Sequence, residues 1–209
     1  RPVRALLLCA VVLCGLSLVS APQTAFADDV GAETAATSGG DIFVDNGDAA
    51  KDVVYLSDIP YVSARVGWGA VTLDKNGVNN GGLVLNVNGS AVTFKKGIFA
   101  HATSSVDYDV SEYHSDYPYF MTYYGLNTSN GNNGNGVKFY VYVSNDRKTW
   151  ELKTDANPVA IKSGNGAYQI KVDVRDYKYI RLHANDNGHN GSDHAVWADA
   201  KLVREDYKD

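Results

Sequence analysis

Apolar residues recur at every second position in several runs along the chain. Leu83, Leu85 and Val87 form one such run, Asn88-Gly89 interrupts it, and Val92 and Phe94 resume it. This predicts a β-hairpin, because Asn-Gly supplies the positive φ angles of a two-residue turn. Val137, Phe139, Val141 and Val143 alternate with Lys138, Tyr140, Tyr142 and Ser144. Ile170, Val172 and Val174 repeat the device, as do Ile180, Leu182 and Ala184. In the last run Val196, Ala198, Ala200 and Leu202 fall on one face, with Trp197 and Asp199 on the other. A period of two buries one face of a strand and leaves the other exposed or turned toward a site. Several such strands joined by Gly and Asn turns predict an all-β fold, two antiparallel sheets packed as a β-sandwich. No long helix and no internal repeat is evident.

Composition supports that picture. The chain has 209 residues, 44% of them apolar, which is enough for a core without disulfides. The 20 Gly and 14 Tyr suit short strands and turns. The first residues differ from the rest. Arg1 and Arg4 precede the apolar run from Ala5 to Val19, and Ala25-Phe26-Ala27 fits the small-x-small cleavage rule. Residues 1–27 are therefore expected to be a signal peptide, too short in its apolar part to span a membrane. Both cysteines, Cys9 and Cys14, lie in this leader. Its removal leaves a secreted or cell-surface chain without disulfides or thiolate sites.

Residues 28–52 are expected to be a flexible linker and 53–203 the compact domain. Residues 204–209 are expected to begin a linker to further C-terminal domains. Without Arg1 and Arg4 the 19 basic residues fall to 17 against 24 acidic ones, a net charge of −7. That balance argues against a nucleic-acid partner and against an anionic membrane surface.

Two loops stand out, residues 129–136 and 185–193, both dense in Asn and Gly. Loops on a rigid scaffold are where binding residues concentrate, although any single Asn can also be a solvated turn residue.

Around these loops lies a set of motifs in fixed order. Tyr55-Leu56-Ser57-Asp58-Ile59-Pro60 is followed by Gly67-Trp68-Gly69 and Asp74-Lys75-Asn76. Then come Lys96-Gly97-Ile98-Phe99-Ala100-His101-Ala102 and Tyr108-Asp109-Val110-Ser111. The last is Asp193-His194-Ala195-Val196-Trp197-Ala198-Asp199-Ala200-Lys201-Leu202. Together the motifs resemble the NPCBM domain, also called the family 51 carbohydrate-binding module, over about residues 53–203. The resemblance implies a galactose-binding-like jelly-roll sandwich attached to secreted glycoside hydrolases or other carbohydrate-active proteins. It implies galactose-containing glycans as partners, and a structural Ca²⁺ as in related sandwiches. By that analogy Asp74 and Asn76, in an early loop, and Asp199, on the last strand, are the expected calcium ligands. Two positions depart from the family pattern. Asn127 stands where an Asp is usual, and Val196 replaces an acid.

Sugar recognition needs an aromatic face for the C–H surface of the ring and planar polar groups for its hydroxyls. Trp68 and Trp197 are the candidate platforms, and either could instead be a core residue. His101 and His194 are candidates beside them, His101 equally readable as a satisfied core histidine. Asn127, Asp186, Asn187 and Asp193 could complete the polar ring. Asp186, Asp193 and Asp199 could in principle supply a glycosidase pair. Yet no nucleophile-elbow, zinc-protease or phosphate-loop motif is present, and catalysis is not expected of this chain. The expectation is a non-catalytic module that holds a larger secreted protein on galactose-type glycans. The alternative is a structural or adhesive domain without sugar binding.

Overall fold

The computed structural model describes residues 42–44, 52–128, 134–162 and 164–208. The described residues belong to one compact unit, Gly39–Asp209. The expected signal peptide lies outside the described residues. Among these residues no helix is long and apolar enough to cross a membrane.

Two antiparallel sheets face each other. One has five strands in the order β11 (Glu151–Leu152), β10 (Lys138–Ser144), β13 (Tyr179–Asn185), β8 (Ser104–Asp109), β3 (Tyr61–Arg65). The other runs β12 (Tyr168–Asp173), β9 (Tyr119–Leu126), β14 (Ala195–Val203), β7 (Gly97–Phe99), β4 (Thr72–Leu73), and β2 (Val53–Tyr55) also pairs with β14. The alternating runs supply the inward faces. Phe139, Val141 and Val143 with Ile180, Leu182 and Ala184 meet Phe120, Val172, Trp197, Ala200 and Leu202 in one buried cluster. Each Val, Leu, Ile or Phe among them contributes about 1.5–3 kcal/mol by leaving water, which is how the described residues, none of them a cysteine, hold the sandwich together.

A third, small sheet covers the outer face of the second. The hairpin β5 (Leu83–Val87) and β6 (Ser90–Phe94) turns at Asn88 and Gly89, with φ of 52° and 88°. Its register pairs Leu83 with Phe94 and Leu85 with Val92. These four residues pack on Phe99, Val196 and Ala198. The strand β1 (Ile42–Val44) pairs parallel with β6. Paired backbone therefore also occurs inside the stretch expected to be linker.

The hairpin explains the composition of β14, whose nine residues are all buried. Strict alternation does not survive along this strand. Asp199 has φ of 53°, and the pairing with β9 shifts between Ala198 and Lys201. A bulge of this kind adds one residue and exchanges the faces. Ala195 and Trp197 before it, and Ala200 and Leu202 after it, all reach the main core, while Val196 and Ala198 face the hairpin.

Candidate functional site

At one end of the sandwich, three loops converge on an open cleft of about 400 Å³. Gly67 and Trp68 come from the loop between β3 and β4, His101 follows β7, and Asn190, Ser192 and His194 precede β14. Val78 closes one side. The loop that carries Trp68 is pinned from below. The Gly67 N–H donates to the His101 carbonyl at 3.0 Å. A side-chain carbon on Gly67 would lie 2.1 Å from the Ala102 carbonyl oxygen, so only glycine allows this approach.

The result is a row of three rings. Trp68 is 53% exposed, an unusual cost for an indole unless something covers it. Its ring lies 5.7 Å from that of His101, inclined at 60°. The His101 ring lies 5.4 Å from that of His194, which packs at 6.2 Å on Phe99. His101 Nδ1 is 2.9 Å from the Ala102 carbonyl. A carbonyl only accepts, so Nδ1 donates, and in the neutral ring Nε2 is left as an acceptor. Burial and the neighbouring His101 hold the His194 pKa below the ordinary imidazole value, which favours a neutral ring at pH 7. An aromatic platform beside a neutral His194 ring suits an uncharged, hydroxyl-rich ligand.

Of the residues expected at the site, the cleft brings together Trp68, His101 and His194. The others lie elsewhere. Trp197 is 0% exposed and packs on Phe139 and Tyr124, with ring centroids at 5.1 Å and 5.8 Å. It is a core residue and cannot offer a face to a ligand. The reason is the bulge at Asp199 together with the hairpin, which bury β14 on both sides.

Asn127 is also fully buried, and its Oδ1 accepts the Val84 N–H at 2.7 Å, tying the hairpin to the end of β9. The Asp-to-Asn departure therefore falls on a structural clamp. Asp186 caps the Gly188 N–H at 3.0 Å. Asn187 Nδ2 donates to the Asn135 carbonyl at 3.5 Å, and Asn135 Nδ2 donates to the Asn187 carbonyl at 2.7 Å. Asp193 is buried behind the cleft wall. Val196 faces the hairpin core, so an acid there would have no water to meet. Asn190 and Ser192 line the cleft but were not singled out in the sequence, although they sit in the flagged Asn-Gly loop. Val78 carries no sequence signal at all.

The expected calcium ligands do not fit an ion. Asp74 accepts from Lys96 Nζ at 2.9 Å and from the Gly97 N–H at 3.0 Å. Lys96 also pairs with Asp58, so an ammonium already holds the charge there. Asn76 Oδ1 accepts from the N–H groups of Val78 and Asn79, both at 3.1 Å. Asp199 pairs with the buried Lys201 at 3.1 Å. Among the described residues no group of three His, Cys, Asp or Glu side chains is placed to share a metal.

Comparisons with known proteins agree with this architecture. The model of the NPCBM/NEW2 domain matches residues 52–203. The second family 51 module of Clostridium perfringens ZmpB is 31% identical, with a TM-score of 0.64. That match covers 73% of this chain and 31% of the ZmpB chain, and a complex with GlcNAc is known. The family 51 module of a Clostridium perfringens GH95 protein, solved with methyl-galactose, is 29% identical with a TM-score of 0.64. It covers 72% of this chain and 99% of that one. Tandem family 51 modules of a family 98 glycoside hydrolase from Streptococcus pneumoniae are 26% identical, covering 75% of this chain and 48% of that one, with a TM-score of 0.63. No curated protein sequence matches. The chain thus spans about a third of the length of the first of these relatives.

Proposed function

Because this chain belongs to the NPCBM/NEW2 family of non-catalytic carbohydrate-binding modules, we propose that its cleft binds a terminal galactose-type sugar and thereby holds an attached protein on glycans. The observation that carries this reading is the exposed Trp68 ring standing at the mouth of a cleft whose wall is His101 and His194.

Galactose has an axial 4-hydroxyl, which leaves its opposite face as one continuous C–H surface. That surface suits a single exposed indole. Two hydroxyls at the ring edge then meet His101 Nε2 and the polar groups of Asn190 and Ser192. Each such hydrogen bond contributes about 0.5–1.5 kcal/mol, so one site binds weakly, on the order of 0.01–1 mM. Avidity from linked modules would raise that to useful strength. The modules solved with methyl-galactose and with GlcNAc support a monosaccharide-sized site, and those found beside catalytic domains support a targeting role. Export through the N-terminal leader is part of the same proposal.

The test is a glycan array probed with multimerised protein, followed by calorimetry with methyl-galactose and GlcNAc. Binding concentrated on galactose termini, lost in Trp68→Ala, supports the proposal. Preference for GlcNAc would overturn the galactose assignment while keeping the cleft. A folded, multivalent protein that binds nothing would favour a structural or adhesive domain.

A further inference from the structure

The outer face of the five-stranded sheet carries an arrangement that the cleft does not use. Its layout follows from the strand register. Tyr140 of β10 lies opposite His183 of β13, which lies opposite Ser105 of β8, with Arg65 of β3 beyond. The next row is Tyr142, Arg181, Asp107 and Ser63. Val141, Leu182 and Val106, which alternate with these residues, are in the core, so both rows point outward.

A solvated sheet face needs no aromatic residues, yet this one gathers them. The Tyr140 and Tyr142 rings lie 6.2 Å apart and are inclined by only 27°, and His183 lies 5.7 Å from Tyr140. The Arg181 guanidinium sits 4.0 Å from the centre of the Trp150 ring. Tyr140, Tyr142 and Trp150 are each partly exposed, and none packs on a described apolar cluster. Large rings gathered at a surface, outside any core, offer contact area to a partner.

The polar groups beside them are fixed and their charges cancel. Arg181 Nε and Nη2 donate to the two oxygens of Asp107 at 2.7 Å and 2.9 Å, and Ser63 Oγ donates to the same carboxylate at 2.9 Å. Ser105 Oγ lies 2.9 Å from His183 Nδ1. Burial holds the His183 pKa below the ordinary imidazole value and raises that of Tyr140, so both rings are uncharged at pH 7. Between Tyr140 and Asp107 the strip therefore carries no net charge. A phosphate backbone would find Arg181 already paired. An apolar protein patch would leave phenol hydroxyls and guanidinium N–H groups without partners. A neutral sugar chain satisfies both kinds of group. Its C–H faces lie on the tyrosine rings, and its hydroxyls meet the phenols and the N–H groups that Asp107 does not use. From β10 to β3 is three strand spacings, roughly 14 Å, which is longer than one sugar ring.

We propose that this face binds an internal stretch of an uncharged, unbranched glycan, as a second site separate from the cleft. None of its residues lines the cleft. The cleft would take a chain end and the sheet face the length of a chain, and neither site depends on the other.

The test uses the parent protein and Trp68→Ala in native gels containing soluble galactan, xylan, mannan or mixed-linkage glucan, with polygalacturonate as a charged control. At least one neutral polysaccharide should retard Trp68→Ala, and methyl-galactose should not release it. Of the three tryptophans, Trp197 is buried, so the fluorescence of Trp68→Ala should change on binding through Trp150. Adding Tyr140→Ala and Tyr142→Ala should weaken binding at least about tenfold. If a melt shows that this variant does not fold, Trp150→Ala in the Trp68→Ala background should weaken binding instead. Retardation of Trp68→Ala by no neutral polysaccharide, or by polygalacturonate alone, would overturn the proposal, whatever the cleft binds. So would unchanged retardation in the folded tyrosine variant. Retardation of Trp68→Ala in a protein whose parent binds no terminal sugar would sink the cleft reading and leave this one standing.

Discussion

Trp68 and Trp197 are the same residue type in opposite roles, and truncating each to alanine separates them. Trp197 is fully buried between Phe139 and Tyr124. Removing a buried indole from a packed core costs about 3–5 kcal/mol, because the lost transfer energy is joined by a cavity that neighbours only partly fill. In a domain of this size each kcal/mol moves Tm by about 2–4 °C, so Trp197→Ala should melt about 6–20 °C lower. Trp68 is 53% exposed, and its loss should change stability by no more than about 1 kcal/mol. Its loss from the cleft should instead cost about 2 kcal/mol of binding, or about 30-fold in Kd, as expected of a central aromatic anchor. Differential scanning fluorimetry reads the first effect and calorimetry with methyl-galactose the second. A Trp197→Ala protein with an unchanged Tm and no sugar binding would refute this division. So would a Trp68→Ala protein that binds as tightly as its parent.

Three further outcomes follow from particular contacts. Gly67→Ala should weaken sugar binding and lower stability by about 1–3 kcal/mol, since its methyl would strike the Ala102 carbonyl and displace Trp68; binding isotherms and melts check both. Asn127→Ala should cost about 1–3 kcal/mol by leaving the Val84 N–H unpaired, while calorimetry should find sugar affinity within about twofold of the parent's. His183 is half-buried and its pKa is held below 6.5 by burial, with Arg181 adding to the effect against an opposing hydrogen bond at Ser104. The unfolded chain therefore takes up the proton first as pH falls, and this contribution to stability, present above about pH 6.5, is lost below it. Melts at pH 7.5 and 5.5 should show a smaller acid loss in His183→Gln than in the parent.

Where the sequence was a good guide, the physics was local or repetitive. The hairpin at Asn88-Gly89 has the turn its dipeptide requires, and the alternating runs at 137–143 and 180–184 bury the faces that alternation assigns them. The last strand was misread for a reason alternation cannot register. One left-handed residue, Asp199, exchanges the faces halfway along, and a hairpin more than a hundred residues earlier covers the side that would otherwise meet solvent. The cleft was partly legible. Trp68, His101 and His194 were named, but so were Asn127, Asp186 and Asn187, which the fold uses otherwise.

Their common feature is where their side chains go. A loop between strands has main-chain groups that no ladder satisfies, and buried groups of that kind must find partners. Short amides and carboxylates are the nearest source. Asn127 serves Val84, Asp186 serves Gly188, Asn187 serves Asn135, and Asn76 serves Val78, Asn79 and Gly82. An Asn- and Asp-rich loop therefore announces backbone that needs capping before it announces a ligand. The exception is informative on the same reasoning. Asp193 lies in such a loop and is buried, yet its carboxylate serves no main-chain group, so it is the one acid of that loop that the need for capping does not explain.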